Sequence, residues 1–349
     1  MVTHFWLRAE GKAFERRTAL PPASARALLD AGYSLTVEAD PDRVFSLDEY
    51  PDCPRAEAHS WKSAPDDAVI IGLKELPADG SELRHRHVHF AHAFKEQRGW
   101  RETLSRFDSG GGTLFDLEFL THENGRRVAA FGYWAGYVGA VLGAAHWDRL
   151  RSGGLLRLKP PYSFRDRGEL EALVRQAPES AIVIGALGRS GAGAVDALEK
   201  LGVRSISRWD KDETAGAGPF DAVLAHQLFV NCVLLGLQIP PFVTREQIDG
   251  AEGRALRVVA DVSCDPTSPW NPVPIYDAIT TLEAPTVRAV ASPPLDVMAI
   301  DHLPSLLPRE SSEDFGSQLL PHLLDFDSDA NGVWARAFDL FEEKKRAAR

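Results

Sequence analysis

Lys74-Glu75, His92, Gln97, Glu118 and the pair Arg126-Arg127 follow apolar runs in the first third of the chain, and Arg17 lies in a charge-dense loop near its start. Ammonium, imidazole and carboxylate groups of this kind supply acid–base chemistry, and guanidinium groups form forked hydrogen bonds to a carboxylate. A lysine acts as a base only where burial or neighbouring cations bring its pKa down toward working pH; adjacent carboxylates oppose that shift. A second group of residues suits a different task. The run Ser-Ala-Ile-Val-Ile-Gly-Ala-Leu-Gly-Arg-Ser-Gly-Ala-Gly at 180–193 passes from apolar residues into glycines at 185, 188, 191 and 193. A helical pattern through Ala194, Val195, Leu198 and Leu201 follows, and then an apolar run at 204–209 that ends in Asp210. Strand, glycine turn, helix, strand and terminal acid are the parts of a dinucleotide-binding βαβ unit. Glycines let the backbone approach a pyrophosphate, the helix start receives its charge, and the acid binds a ribose diol. The usual glycine spacing is incomplete, because Ala186 stands at one position and only Gly188-x-x-Gly191 is kept. Asp210 favours NAD over NADP, since a carboxylate repels a 2′-phosphate.

These groups need elements to hold them. Strands are expected at 4–8, 34–38, 68–73, 87–91 and 113–118, a helix at 22–31, and a loop-rich stretch at 40–64. Alternating strands and helices argue for an α/β fold with a mostly parallel sheet, in which ligands sit beyond the carboxyl ends of the strands. Glycines at 132, 136, 139 and 143 mark a helix that trades propensity for close packing. A domain-bridging helix is the preferred reading and a buried core helix the alternative. Further strands are expected at 222–225, 228–234 and 256–262, with helical segments closing the chain. The expected architecture is two Rossmann-like domains, doubly wound on mostly parallel sheets, with the active site in an inter-domain cleft. Residues 1–131 form the substrate-binding α/β domain, helices from about 310 pack back on it, and 132–310 form the dinucleotide-binding domain.

The 349 residues suit two domains. A hydrophobic share of 44% supports real cores, and a formal net charge of −11 leaves no basic footprint for nucleic acid or anionic lipid. No apolar run approaches the roughly 20 residues of a membrane span. Early charges break up any signal-peptide core, the C-terminal residues form a charged helical tail without a recognisable sorting signal, and a cytoplasmic location is expected. Cys53, Cys232 and Cys264 have neither metal-ligand spacing nor a disulfide pattern. His85, His87 and His89 alternate along one strand face, but no carboxylate or cysteine ligand is near. The expectation is therefore no metal, with one functional histidine and His85 and His87 at the surface.

Several segments occur in a telling order: Leu7-Arg-Ala-Glu10, Glu15-Arg-Arg17, Ile71-Gly-Leu-Lys-Glu75, His89-Phe-Ala-His-Ala-Phe-Lys-Glu-Gln97, Asp116-Leu-Glu-Phe119, Gly125-Arg-Arg-Val-Ala-Ala-Phe131, Gly185-Ala-Leu-Gly-Arg189 and Ile300-Asp-His-Leu-Pro-Ser-Leu-Leu-Pro-Arg309. Over nearly its whole length the chain resembles the NAD-dependent, lysine-forming saccharopine dehydrogenases of the fungal α-aminoadipate pathway, related in fold to alanine dehydrogenase. That resemblance implies an oxidoreductase acting on a CH–NH group of saccharopine, giving L-lysine and 2-oxoglutarate, through an imine and a carbinolamine. It implies Lys74 as acid–base at the secondary amine and His92 as proton carrier at the carbinolamine. Glu75 and Glu118 are implied as carboxylates tuning the lysine, and Arg17, Gln97 and Arg127 as substrate contacts. Around substrate or NAD it implies Arg126, Phe131, Gly185, Gly188, Arg189, Ser190, Gly191, Asp210, Thr214, Val262, Ile300, Asp301, His302 and Leu303. Ser190 stands where fungal members carry cysteine, and Gly216 where they place arginine. The implied partners are small molecules, and a monomer or small homo-oligomer is expected. Two other readings remain open: an opine-type or alanine-type dehydrogenase acting on another amino acid, and a non-catalytic nucleotide-binding module.

Overall fold

The computed structural model describes residues 2–349 apart from Ala217, Leu234 and Leu237. In chain order the elements begin with β1 (His4–Leu7), α1 (Pro22–Asp30), β2 (Ser34–Glu38), β3 (Arg55–Ala56), β4 (Val69–Ile71), β5 (Arg86–His89), α2 (Trp100–Gly110) and β6 (Thr113–Asp116). There follow α3 (Gly132–Arg151), α4 (Arg167–Glu171), β7 (Ser180–Ile184), α5 (Arg189–Lys200), β8 (Ser205–Trp209), α6 (Asp221–Ala225) and β9 (Leu228–Asn231). The last are α7 (Arg245–Gly250), β10 (Val258–Asp261), β11 (Val287–Val290), β12 (Leu295–Met298), α8 (Pro308–Leu324) and α9 (Val333–Ala348). Two compact units result, Met1–Ala130 with Pro308–Arg349, and Phe131–Leu307.

The first unit is built on a six-stranded sheet in the order β3-β2-β1-β4-β5-β6, every neighbouring pair parallel. Parallel strands are covered on both faces, so they read as continuous apolar runs; Val69-Ile-Ile71 is buried throughout. α9 packs on α2 and β6, with Phe341 edge-on to Phe107 at 5.9 Å, and α8 packs on α1. The same double cover corrects the surface placement of His85 and His87. β5 lies between β4 and β6, and His85, His87 and His89 are all buried. His87 is wedged edge-on between Trp61 at 5.1 Å and Phe107 at 5.4 Å. Burial holds His87 and His89 well below the ordinary histidine range, so both are neutral core residues.

The second unit carries a sheet in the order β11-β12-β10-β9-β7-β8, parallel except for the antiparallel edge strand β11. α3 lies within this unit and contributes much of its core, as the core-helix reading has it. Its glycines face residues of the same unit: a Cβ on Gly136 would lie 1.7 Å from the Ser190 carbonyl oxygen, and one on Gly143 would touch Ala260 and Leu228. The glycines thus seat α3 against α5 and the sheet. Asp221–Ala225 is helical, not the expected strand. A short apolar run has no periodicity to separate the two states, and here it forms a single helical turn with Val223 and Leu224 buried. β9 ends at Asn231, short of the expected 234; Leu234 itself lies outside the described residues. Two features without a sequence expectation, β11 and β12, complete the sheet edge.

Candidate active site and nucleotide turn

In the first unit the chemistry gathers where chain segments leave the carboxyl ends of β1, β4, β5 and β6. The backbone of Lys74 is pinned before its side chain is considered. Glu10 accepts the N–H groups of Leu73 at 2.6 Å and Lys74 at 3.0 Å, and the Arg8 guanidinium donates to the Lys74 carbonyl oxygen. Arg8 and Glu10 are themselves a buried ion pair at 3.2 Å. Gly72 lets this guanidinium pass, because a Cβ there would lie 2.2 Å from Arg8 Nε. The Gly-Leu-Lys-Glu segment is therefore shaped from below by Arg8 and Glu10.

The Lys74 ammonium, 18% exposed, stands 3.9 Å from Glu15 Oε2. That carboxylate is held by Arg17, whose Nε donates at 2.8 Å and Nη2 at 2.6 Å, both partners buried. Burial first, and the Arg17 charge second, lower the Lys74 pKa, with Glu15 and Glu75 opposing. Against its own burial, Glu15 is held below the usual carboxylate range by Arg17. Glu75 pairs with Lys12 at 3.1 Å on the exposed side. Glu15, Glu10, Arg8 and Lys12 were not singled out in the sequence, although the Glu15-Arg-Arg17 segment contained the nearest carboxylate.

His92 adopts a left-handed backbone conformation, φ 55°, and its Nδ1 lies 3.4 Å from Glu118 Oε2. Its ring stacks on Phe90 at 6.4 Å. Glu118 also accepts from Lys95 Nζ at 2.6 Å and lies 3.9 Å from Arg127 Nη1. His92 and then Lys95 drive the Glu118 carboxyl down to about 2, and Glu118 in turn raises His92. Glu118 thus serves the histidine directly, whereas Glu75 contributes its field to both Lys74 and His92. Gln97 and Arg126 sit on exposed turns: the Gln97 carbonyl accepts from Trp100, and the Arg126 N–H donates to Asn124 Oδ1 at 3.0 Å. Lys95 is a further residue near His92 that the sequence reading passed over.

In the second unit the turn after β7 is as tight as the glycines suggested. Gly185 takes φ 87°, and a Cβ on Gly191 would meet the Gly185 carbonyl oxygen at 2.0 Å. Gly188 leads into α5 at Arg189, with Ser190 and Gly191 in its first turn, which places the positive end of the helix dipole at the turn. Asp210 directly follows the neighbouring strand β8 and accepts from the N–H groups of Leu187 at 3.0 Å and Lys211 at 2.9 Å. Thr214 Oγ1 donates to the Asp210 carbonyl at 2.7 Å. Side chains at the glycines would fill this cradle, and the acid lies against it, so the residues present fit a dinucleotide. Val262 packs beside Gly139, Phe131 precedes α3, and Ile300 and Leu303 are buried while Asp301 and His302 are exposed.

Residues 6–138 match the family described as alanine dehydrogenase/PNT, N-terminal domain. The chain is 46% identical to the "Saccharopine dehydrogenase [NAD(+), L-lysine-forming]" of Schizosaccharomyces pombe, over 98% of each chain. Identity is also 46% to the protein of that name from Yarrowia lipolytica, covering 97% of this chain and 96% of the relative. In fold it is similar to a solved L-alanine dehydrogenase, with a TM-score of 0.69, 17% identity, and 97% and 94% of the two chains covered. With two Rossmann-like sheets and near-complete alignment at this identity, the chain belongs to the saccharopine dehydrogenase family.

Proposed function

We propose that this protein oxidises saccharopine with NAD to L-lysine and 2-oxoglutarate, and runs the reductive condensation in reverse. Bound NAD, held by the Gly185–Gly191 turn, Arg189, Ser190 and Asp210, supplies the hydride acceptor. Lys74, with its pKa lowered by burial and by Arg17, takes the proton of the secondary amine. Once the imine has formed, water adds to its carbon, and His92 removes the proton from that water. The imidazolium, stabilised by Glu118, returns a proton to the departing nitrogen as the carbinolamine collapses. The carbon–nitrogen bond breaks, the carbinol O–H gives its proton to the now neutral His92 imidazole as its oxygen becomes the keto oxygen of 2-oxoglutarate, and the nitrogen leaves on lysine.

Saccharopine carries three carboxylates, which calls for cationic contacts in an acidic protein. Arg127, Arg126 and Gln97 supply polar groups on exposed turns, while the Arg17 charge acts directly on Lys74 and also holds Glu15. The observation that carries the reading is the lysine itself: a largely buried ammonium beside a carboxylate that a guanidinium also holds, in a chain 46% identical to enzymes of this name. A place in cytoplasmic lysine biosynthesis goes with it; no described helix is long and apolar enough to cross a membrane.

The reading is tested in the reductive direction, by following NADH consumption with 2-oxoglutarate and a panel of amino acids. Consumption with lysine supports it. Consumption with another amino acid and none with lysine replaces it with a different opine-type specificity.

A further inference from the structure

β5 and β6 run in parallel and finish side by side, with His89 opposite Asp116. From these ends the chain leads to His92 on one side and to Glu118 on the other. The two segments are tied together, as the Leu117 N–H donates to the His89 carbonyl at 3.1 Å. At the junction Asp116 is 1% exposed. Its Oδ1 accepts the Glu118 N–H at 2.9 Å, which fixes the direction in which Glu118 leaves the strand. Its Oδ2 is buried and makes no close hydrogen bond among the described residues, although the Ala91 backbone also acts on the carboxylate. A carboxylate buried with one oxygen unpaired is destabilising, so packing does not account for it.

We propose that Asp116 is a positioning residue for His92: it aims Glu118 at the imidazole and adds its own charge to the field there. The inference rests on the assignment of His92 as proton carrier. The groups around Asp116 are Glu118 on its own segment, His92 beyond β5, and His89 on β5, which burial keeps neutral. His92 in turn responds to Glu118, Asp116 and Glu75, while Lys95 and Arg127 act on Glu118. Burial, reinforced by Glu118, pushes the Asp116 carboxyl up to about 6, whereas Glu118 is held at about 2. Near neutral pH Asp116 therefore changes charge and Glu118 does not. As Asp116 ionises, the His92 imidazole holds its proton more firmly.

Two variants separate the parts of this role. Asp116→Asn keeps an oxygen for the Glu118 N–H and removes the charge; Asp116→Ala removes both. Histidine-selective carbon-13 spectra of the full chain, with His92→Gln identifying the signal, read the His92 titration midpoint without any turnover. The midpoint is expected to fall by about half a pH unit or more in Asp116→Asn and further in Asp116→Ala. The pH profile of saccharopine turnover should move with it in Asp116→Asn, with NAD affinity unchanged. An unmoved His92 midpoint in Asp116→Asn overturns the proposal, whether or not the alanine variant folds. Absence of saccharopine turnover in the unmodified protein would overturn the reaction instead, and leave the midpoint to decide on Asp116.

Discussion

The Lys74 ammonium lies 3.9 Å from Oε2 of Glu15, and the buried guanidinium of Arg17 chelates both oxygens of that carboxylate. The lysine therefore meets a partly neutralised partner, and burial tips the balance toward a lowered pKa. A base of that kind loses its function when its nitrogen is removed. Lys74→Met should lower turnover by at least about tenfold, with the far-ultraviolet circular dichroism unchanged. Near-normal turnover would remove Lys74 from the mechanism.

Glu15→Gln takes away the carboxylate that opposes the shift and leaves the lowering effect of the Arg17 charge, so the Lys74 pKa falls further. In saccharopine oxidation Lys74 must be neutral, and the limb of the pH–rate profile that rises with pH should move to lower pH. Stability should fall as well, because a buried ion pair is broken from one side, typically at a cost of about 3–5 kcal/mol. Kinetic pH profiles and urea midpoints measured on the same preparation check the two effects separately.

Glu118 and Glu15 titrate below their unfolded values in the native protein, and so does Asp296, which against its burial is paired with His146 at 2.7 Å and with Arg288. Depressed carboxylates contribute stability that is present above their unfolded pKa, about 4. That contribution is lost as pH falls, for Glu118 toward about 2. Asp116, raised to about 6, has the opposite sign, since its share is present below about pH 4 and lost as pH rises through 6. The urea midpoint of Glu118→Gln should thus differ most from the unmodified protein near pH 7 and converge with it near pH 2.

Gly136 gives a mechanical test of the second unit. Alanine there would put a Cβ 1.7 Å from the Ser190 carbonyl oxygen, in the first turn of α5. Overpacking of this kind costs about 1–3 kcal/mol, and the backbone that yields belongs to the nucleotide turn. Gly136→Ala should lower the melting temperature and weaken NAD binding together, by calorimetry and fluorescence titration.

Asp210 offers a specificity test. Its carboxylate closes the turn through the Leu187 N–H and carries the negative charge that disfavours a 2′-phosphate. Asp210→Ala should weaken NAD binding about tenfold and narrow the preference for NAD over NADP, read as the ratio of kcat/KM values.

Much of this was legible in the chain. Parallel strands buried on both faces leave uninterrupted apolar runs, so β4, β7 and β10 stood out, and the polar residues that follow them could be listed from the chain alone. The glycine turn announced itself because Gly185 and Gly191 serve needs that only glycine meets. Other features depend on pairing across the sheet, which a linear reading does not contain. His85 and His87 looked like surface residues because arginines flank them, yet the strand lies between two others. Glu15 and Asp116 matter because β1 and β6 end beside β4 and β5. The five residues Asp221–Ala225 were too few to show a period, and the glycine helix α3 carried close packing without saying against what.

Conversion of saccharopine to lysine is the activity to which the roles of Lys74 and His92 belong. Purified protein incubated with saccharopine and NAD should release NADH, L-lysine and 2-oxoglutarate in equal amounts, followed by absorbance and quantitative mass spectrometry. No lysine from saccharopine, under conditions where the protein binds NAD, would contradict it.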